Sequence, residues 1–115
     1  MKVVYSKYFP PKGFEAINLF GLIIGRSQYG KLSPRSLNHE KIHSHQIVEM
    51  LWIFFYIFYF SEWLVRLVQY QNAYTAYCNI SFEREAYSND KNLHYLNKRK
   101  PYTWLNYLIK HDAEN

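Results

Sequence analysis

A single cysteine, Cys78, in a chain of 115 residues excludes an internal disulfide and any multi-cysteine metal cage within one chain, and it suits a reducing compartment. Glycine and proline are sparse, four of each, and no glycine-rich phosphate-cradling loop is among them. No apolar stretch of signal-peptide length comes before Pro10 and Pro11, so the expected location is the cytoplasm. Internal repeats and low-complexity segments are absent too. Nor is there a long uncharged apolar run. The most apolar segment, residues 50–68, reads MLWIFFYIFYFSEWLVRLV, and its longest stretch without a charge, Met50 to Ser61, is 12 residues. A helix that crosses a bilayer needs roughly 18–20. A buried helix is therefore the expectation. The alternative is a helix seated in the inner membrane, with Glu62 and Arg66, four apart, paired on one face.

What is present is apolar and aromatic. Hydrophobic residues make up 49% of the chain and aromatics 20%, enough for one packed core, while the length is too short for two. The 12 tyrosines suit half-buried positions and wet clefts better than a dry centre. The formal charge of +5 favours anionic surfaces without specificity. Only Lys98, Arg99 and Lys100 form a basic run, and no nucleic-acid motif accompanies them, so nucleic acid is not an expected partner.

Residues 1–13 hold Pro10, Pro11 and Gly13 and read as an arm, irregular or at a sheet edge. Residues 14–35 begin with FEAINLFGLIIGR, a β-branched and aromatic mixture that predicts a small hairpin or sheet edge. A loop then runs through Gly30 and Pro34 to Ser36, the candidate helix cap. From Leu37 no glycine or proline occurs until Pro101, which predicts helices over residues 36–96. One break is expected before Gln71, and a third helical stretch from Tyr74 to about Leu96 carries an internal start at Asn79 or Ser81. Residues 102–110 space Trp104, Leu105, Leu108 and Ile109 as a closing helix, and the last five residues, HDAEN, read as frayed. The fold class is a single α+β domain, mostly helical.

The chemistry is concentrated at HEKIH. His39 and His43 are four apart, so a helix stacks their imidazoles on one face where both reach a single metal ion. Glu40 lies beside that ion without binding it, placed to take a proton from an activated water. The bland alternative is two histidines and a glutamate on the polar side of an amphipathic helix. Against it, Ile42, Ile47 and Val48 give this helix a buried side, and FEREAY at residues 82–87 offers a downstream acidic ligand on a second helical segment.

HEKIHSHQ followed by FEREAY resembles the gluzincin group of zinc metallopeptidases, over roughly residues 36 to 90. In that group HExxH lies on one helix and a glutamate on a second helix completes the site. The resemblance implies Zn²⁺ as cofactor, a peptide or protein substrate, a minimal zincin-like domain, and Glu40 as general base. In two branches, the membrane-bound prenyl-protein proteases and the repressor-cleaving peptidases, the ligand glutamate opens an E-x-x-A-[DN] pattern. Glu83 matches it through Ala86 and departs at Tyr87. A competing alignment makes Glu85 the third ligand, with Asn89 where other gluzincins carry an acid.

Arg26 and Tyr87 are candidates for holding a substrate carboxylate or oxyanion, against the plainer reading of an exposed strand arginine and a packed tyrosine. His45 points to another face than His43, and His94 and His111 have no partner at metal spacing. Glu49 and Glu62 read as ion-paired or cleft-edge groups. Phe14 to Arg26 is the candidate strand for pairing with substrate backbone. The rival function is non-catalytic: a membrane-seated or protein-binding helical module that docks through residues 50–68, with a structural or vestigial zinc site.

Overall fold

In the computed structural model, which describes residues 2–10 and 13–109, the N-terminal quarter forms a three-stranded sheet and the remainder is helical, an α+β fold dominated by helix. Strands β2 (Ala16–Leu19) and β3 (Leu22–Arg26) pair antiparallel as a hairpin. Their connection is the dipeptide Phe20-Gly21, with φ of 54° and 91°, the left-handed geometry that matches strand twist in a two-residue turn. The Asn18 carboxamide oxygen accepts from Gly21 N–H at 2.9 Å and holds the turn.

The arm expected over residues 1–13 is a strand in its first part. Val3 and Val4 suit extended backbone, and β1 (Lys2–Ser6) runs parallel to β3 with Val3 opposite Ile23. The sheet order is β1-β3-β2, so β1 and β2 are its two edges. Close approach of β1 requires Gly25: a Cβ there would stand 2.8 Å from the Tyr5 ring.

Helix α1 (Pro34–Glu49) starts earlier than expected. Ser33, not Ser36, is the cap, its hydroxyl accepting from Ser36 N–H at 3.1 Å. Pro34 fits the first turn because the N–H it lacks would have no helical partner there. The single expected break falls at Met50–Trp52, where Leu51 and Trp52 adopt φ of 54° and 61° and the chain bends by 112° into α2 (Ile53–Tyr70). Neither glycine nor proline causes it. The bend swings Phe55 against Phe82, ring centroids 4.6 Å apart, at the centre of the core.

The third helical stretch is three pieces: α3 (Ala73–Cys78), α4 (Ser81–Asn89) and α5 (Tyr95–Lys98). Asn72 caps α3 through Thr75 N–H, and α4 does begin at Ser81, whose N–H and hydroxyl both donate to Glu62. The closing element is a short 3-10 turn, Thr103–Tyr107, which sets Trp104 against Phe82 at 4.5 Å. His111 and the HDAEN segment lie outside the described residues.

Ile47, Met50, Phe55, Ile80, Phe82 and Trp104 form the core, with Tyr56, Tyr59 and Trp63 packed against it. The expectation of a buried helix over residues 50–68 is corrected: Phe55 is the one fully buried residue of α2, and the helix lies across the surface of the core. Among the described residues no single helix is long and apolar enough to cross a membrane.

Candidate metal centre

Helix α1 presents His39 and His43 one turn apart, and α4 packs beside it and presents Glu83. All three side chains are buried. The two Nε2 atoms are 3.2 Å apart, and Glu83 Oε1 is 3.1 Å from each. Three ligand atoms therefore converge in a near-equilateral triangle, a grouping able to hold a metal ion.

The surroundings decide which ring nitrogens carry protons. His39 Nδ1 is 2.9 Å from Asp90 Oδ2, an acceptor, so Nδ1–H donates there. His43 Nδ1 is 2.8 Å from Gln46 Oε1. The Gln46 amide cannot be turned round, because its nitrogen donates to Phe82 O at 3.1 Å and Glu85 Oε1 at 2.9 Å. Each neutral imidazole thus holds its proton on Nδ1 and aims an Nε2 lone pair at the other and at a carboxylate oxygen. Three facing acceptors require a cation between them. A proton fills that role when no metal does: burial disfavours the imidazolium, yet the Glu83 charge and hydrogen bond outweigh it and push His43 up to about 9. Burial likewise disfavours the Glu83 carboxylate, and the two histidines overcome that and hold it far below the ordinary range.

Asp90 escaped the sequence reading. It stands seven residues after Glu83, two helical turns along the same face, and its other oxygen accepts from Arg35 Nε at 2.8 Å. Asn38 donates to the Asp90 and Asn92 carbonyls, both at 3.0 Å, and ties the end of α4 to α1. Tyr87, where the gluzincin pattern has Asp or Asn, packs its ring on His39 with centroids 4.4 Å apart and pairs its hydroxyl with Tyr77 at 3.0 Å. The carboxylate that His39 bonds, Asp90, thus stands about one helical turn beyond Tyr87.

Glu85 is not brought to the histidines. It lies fully buried against Arg99, with Nε at 2.5 Å, and accepts from Tyr95 at 2.6 Å. Arg99 also makes a two-pronged pair with Glu49, both contacts 2.9 Å. The alternative ligand is instead the far end of the chain that orients Gln46. Asn89 also stays outside the site, bonded to Glu85 O and the Tyr107 hydroxyl. Arg26 is buried rather than exposed, and donates to Pro10 O at 2.7 Å. Glu62 pairs with Arg66 and Glu49 with Arg99, as expected of ion-paired groups. His45 and His94 are exposed.

Glu40 borders two cavities. One, of about 490 Å³, is mainly apolar, with Pro10, Ile17, Leu19, Phe55 and Tyr59 in its wall beside His43 and Glu83. The other, of about 430 Å³, is more polar and holds Glu15, Arg35, Tyr87 and Asp90 around His39. Phe14, Ala16, Glu40 and Tyr77 line both. Burial raises the Glu40 carboxyl above its ordinary value, against the opposing pull of His43 and His39. Tyr59 donates to Glu83 Oε2 at 2.6 Å, and burial beside that carboxylate keeps the phenol protonated.

Edge strand β2 passes alongside. Asn18 Nδ2 donates to Glu40 O at 2.8 Å and Ser44 Oγ at 2.7 Å, fixing the strand to α1 at the level of Glu40. The Asn18 carbonyl accepts from Tyr56 and so points away from β3, whereas Glu15 O accepts from Arg26 N–H and points towards it. Strand alternation then turns the Ala16 N–H and C=O outward, along the edge that borders both cavities. No family model, curated protein or solved structure matches the chain, so the chemistry of the site is read from its atoms alone.

Proposed function

We propose that the chain is a zinc-dependent peptidase in which His39, His43 and Glu83 are the metal ligands and Glu40 is the general base. The observation that carries this is the triangle of three ligand atoms at 3.1–3.2 Å, able to close on one cation, with a carboxylate beside it that is not a ligand. Two nitrogens and one oxygen are one of the donor sets of catalytic zinc sites, and tetrahedral zinc with bonds of about 2.0–2.1 Å needs ligand atoms about 3.3–3.4 Å apart. The ring tautomers, Asp90 and Gln46 supply the outer contacts such ligands need.

Zinc supplies Lewis acidity, which makes water nucleophilic at neutral pH and polarises a carbonyl. The protein's own groups do the rest. The outward N–H and C=O of Ala16 pair with an extended substrate and lay its scissile bond across Glu40. Glu40, its carboxyl raised above the ordinary value by burial, takes the proton of the attacking water and delivers it to the leaving amine. Tyr77 and Tyr87, both kept protonated by burial, stand with paired hydroxyls on the polar side, where one can donate to the developing oxyanion. Tyr59 holds Glu83 in its orientation. The apolar cavity receives a substrate side chain.

The test is metal content by elemental analysis joined to a peptide-hydrolysis screen. Wild type should carry about one zinc per chain, and His39→Ala or His43→Ala should lose it. Glu40→Gln should keep the metal and lose hydrolysis. A protein that takes up no zinc on reconstitution overturns the site, and unchanged turnover in Glu40→Gln overturns the role of the base.

A further inference from the structure

Helix α2 covers the core with its inner side only. Phe54, Ile57, Phe58, Leu64, Val65 and Val68 recur at spacings of three and four, and each is 44–76% exposed. Ser61 is the one polar residue on this stripe, which runs about 21 Å at 1.5 Å per residue. The helix's two charges are turned away from it. Glu62 and Arg66 pair with each other on the inner side, Glu62 also accepting from Ser81, and Arg66 donating to Leu108 O.

The α1–α2 corner extends the apolar face. Leu51 and Trp52 at the α1–α2 corner are 71% and 55% exposed, and Phe20 at the hairpin tip is 62% exposed. All three have φ between 54° and 61°. Large side chains in left-handed backbone cost of order 1 kcal/mol or more each, and exposing them to water adds to that. Phe20 lies on the other flank of α2, its ring 4.9 Å from the core-packed Tyr56 and its N–H donating to the Tyr56 hydroxyl, so it is not part of this stripe. At roughly half exposure, the eight residues of the stripe and corner present on the order of 800 Å² of apolar surface. The largest patch on a typical monomer is about 300–600 Å².

Charge decides between a lipid surface and a second copy. Each chain carries +5, so two copies meeting here bring like charges together, whereas anionic headgroups are attracted. Protein interfaces also mix polar groups through the contact, and this stripe has only Ser61. We propose that the outer stripe of α2, with Leu51 and Trp52, docks the protein on an anionic bilayer surface, with the helix lying in the plane of the interface. It does not cross. The inward-facing pair Glu62–Arg66 is anchored to protein, and α1, which joins α2 at 112°, packs one side, with His39 and His43, into the protein. Because Phe55 and Tyr59 on the inner side of α2 line the apolar cavity, docking sets that cavity beside the lipid surface.

Flotation of the full chain with vesicles tests this, comparing phosphatidylcholine alone with phosphatidylcholine mixed with phosphatidylglycerol. The protein should float with the mixed vesicles, more weakly with the neutral ones, and be released by salt. Phe58→Glu and Val65→Glu, at half-exposed positions on the outer stripe, should weaken binding more than about tenfold, since each removes over 1.4 kcal/mol of apolar burial. Their circular dichroism should be unchanged, which separates lost docking from lost folding. Wild type remaining in the aqueous fraction overturns the proposal, as do α2 variants that float like wild type. A solution dimer that these substitutions convert to monomer, with no vesicle binding, assigns the face to a second copy instead.

Discussion

Replacing Asp90 with alanine removes the acceptor that holds the proton of His39 on Nδ1, 2.9 Å away, and thereby the reason its Nε2 lone pair faces the metal position. Without that partner the ring is free to rotate or to take the other tautomer. Outer contacts of this kind contribute about 10–100-fold to metal affinity, or about 1.4–2.7 kcal/mol. Asp90→Asn discriminates between orientation and charge, because its carbonyl oxygen still accepts from Nδ1–H while the negative charge is gone. Zinc affinity measured by competition with a chromogenic chelator should fall 10–100-fold in Asp90→Ala and recover most of that in Asp90→Asn. Arg35, half-exposed, also loses its partner, but solvent screens it and it contributes little. Unchanged affinity in Asp90→Ala, with a native circular dichroism spectrum, refutes the assignment of Asp90 as the group that orients His39.

Metal binding should depend on pH through His43. Its folded-state pKa is raised to about 9 from 6.5 by Glu83, so between these values the metal must displace a proton. Zinc affinity is expected to rise about tenfold per pH unit from 7 towards 9; a flat profile in the chelator assay contradicts it. The same shift means that the His43–Glu83 pair stabilises the metal-free fold fully below pH 6.5 and loses that contribution as pH rises through about 9, so its melting temperature should decline over this window. The Arg99 side chain is 3% exposed between Glu49 and Glu85, and Arg99→Leu strands two carboxylates. The loss should be about 3–5 kcal/mol in urea unfolding, whereas an isolated surface pair would lose under about 1 kcal/mol.

How much was legible follows from how local each signal is. The hairpin was readable because Phe14 to Arg26 carries β-branched residues on both sides of a glycine turn, and turn chemistry acts over a few residues. The helical region was readable in extent but not in its breaks. Leu51 and Trp52 are ordinary helix formers, and what turns the chain there is the packing of Phe55 on Phe82, a contact between residues 27 apart. Ser36 is a plausible cap by residue type alone, but Ser33 directly precedes a proline, a local signal for the first helical turn, and α1 starts there. Beside the prolines, residues 2–6 read only as part of an arm, irregular or at a sheet edge, and they form an edge strand because β3 offers a parallel partner.

The sequence by itself determined that His39 and His43 share a helix face with Glu40 beside them, because i, i+4 geometry is a property of the helix alone. It also carried a single core, the mostly helical α+β class and the absence of an uncharged spanning run. Tertiary structure decided between Glu83 and Glu85. They are two residues apart on α4 and point to different faces, so only the packing of α4 against α1 determines which one meets the histidines, while Arg99 claims the other. It also supplied Asp90 and Gln46 as the groups that set the imidazole tautomers, and it left α2 with one face in the core and one open. These are long-range outcomes: each depends on which surfaces meet, and no window of neighbouring residues contains that information.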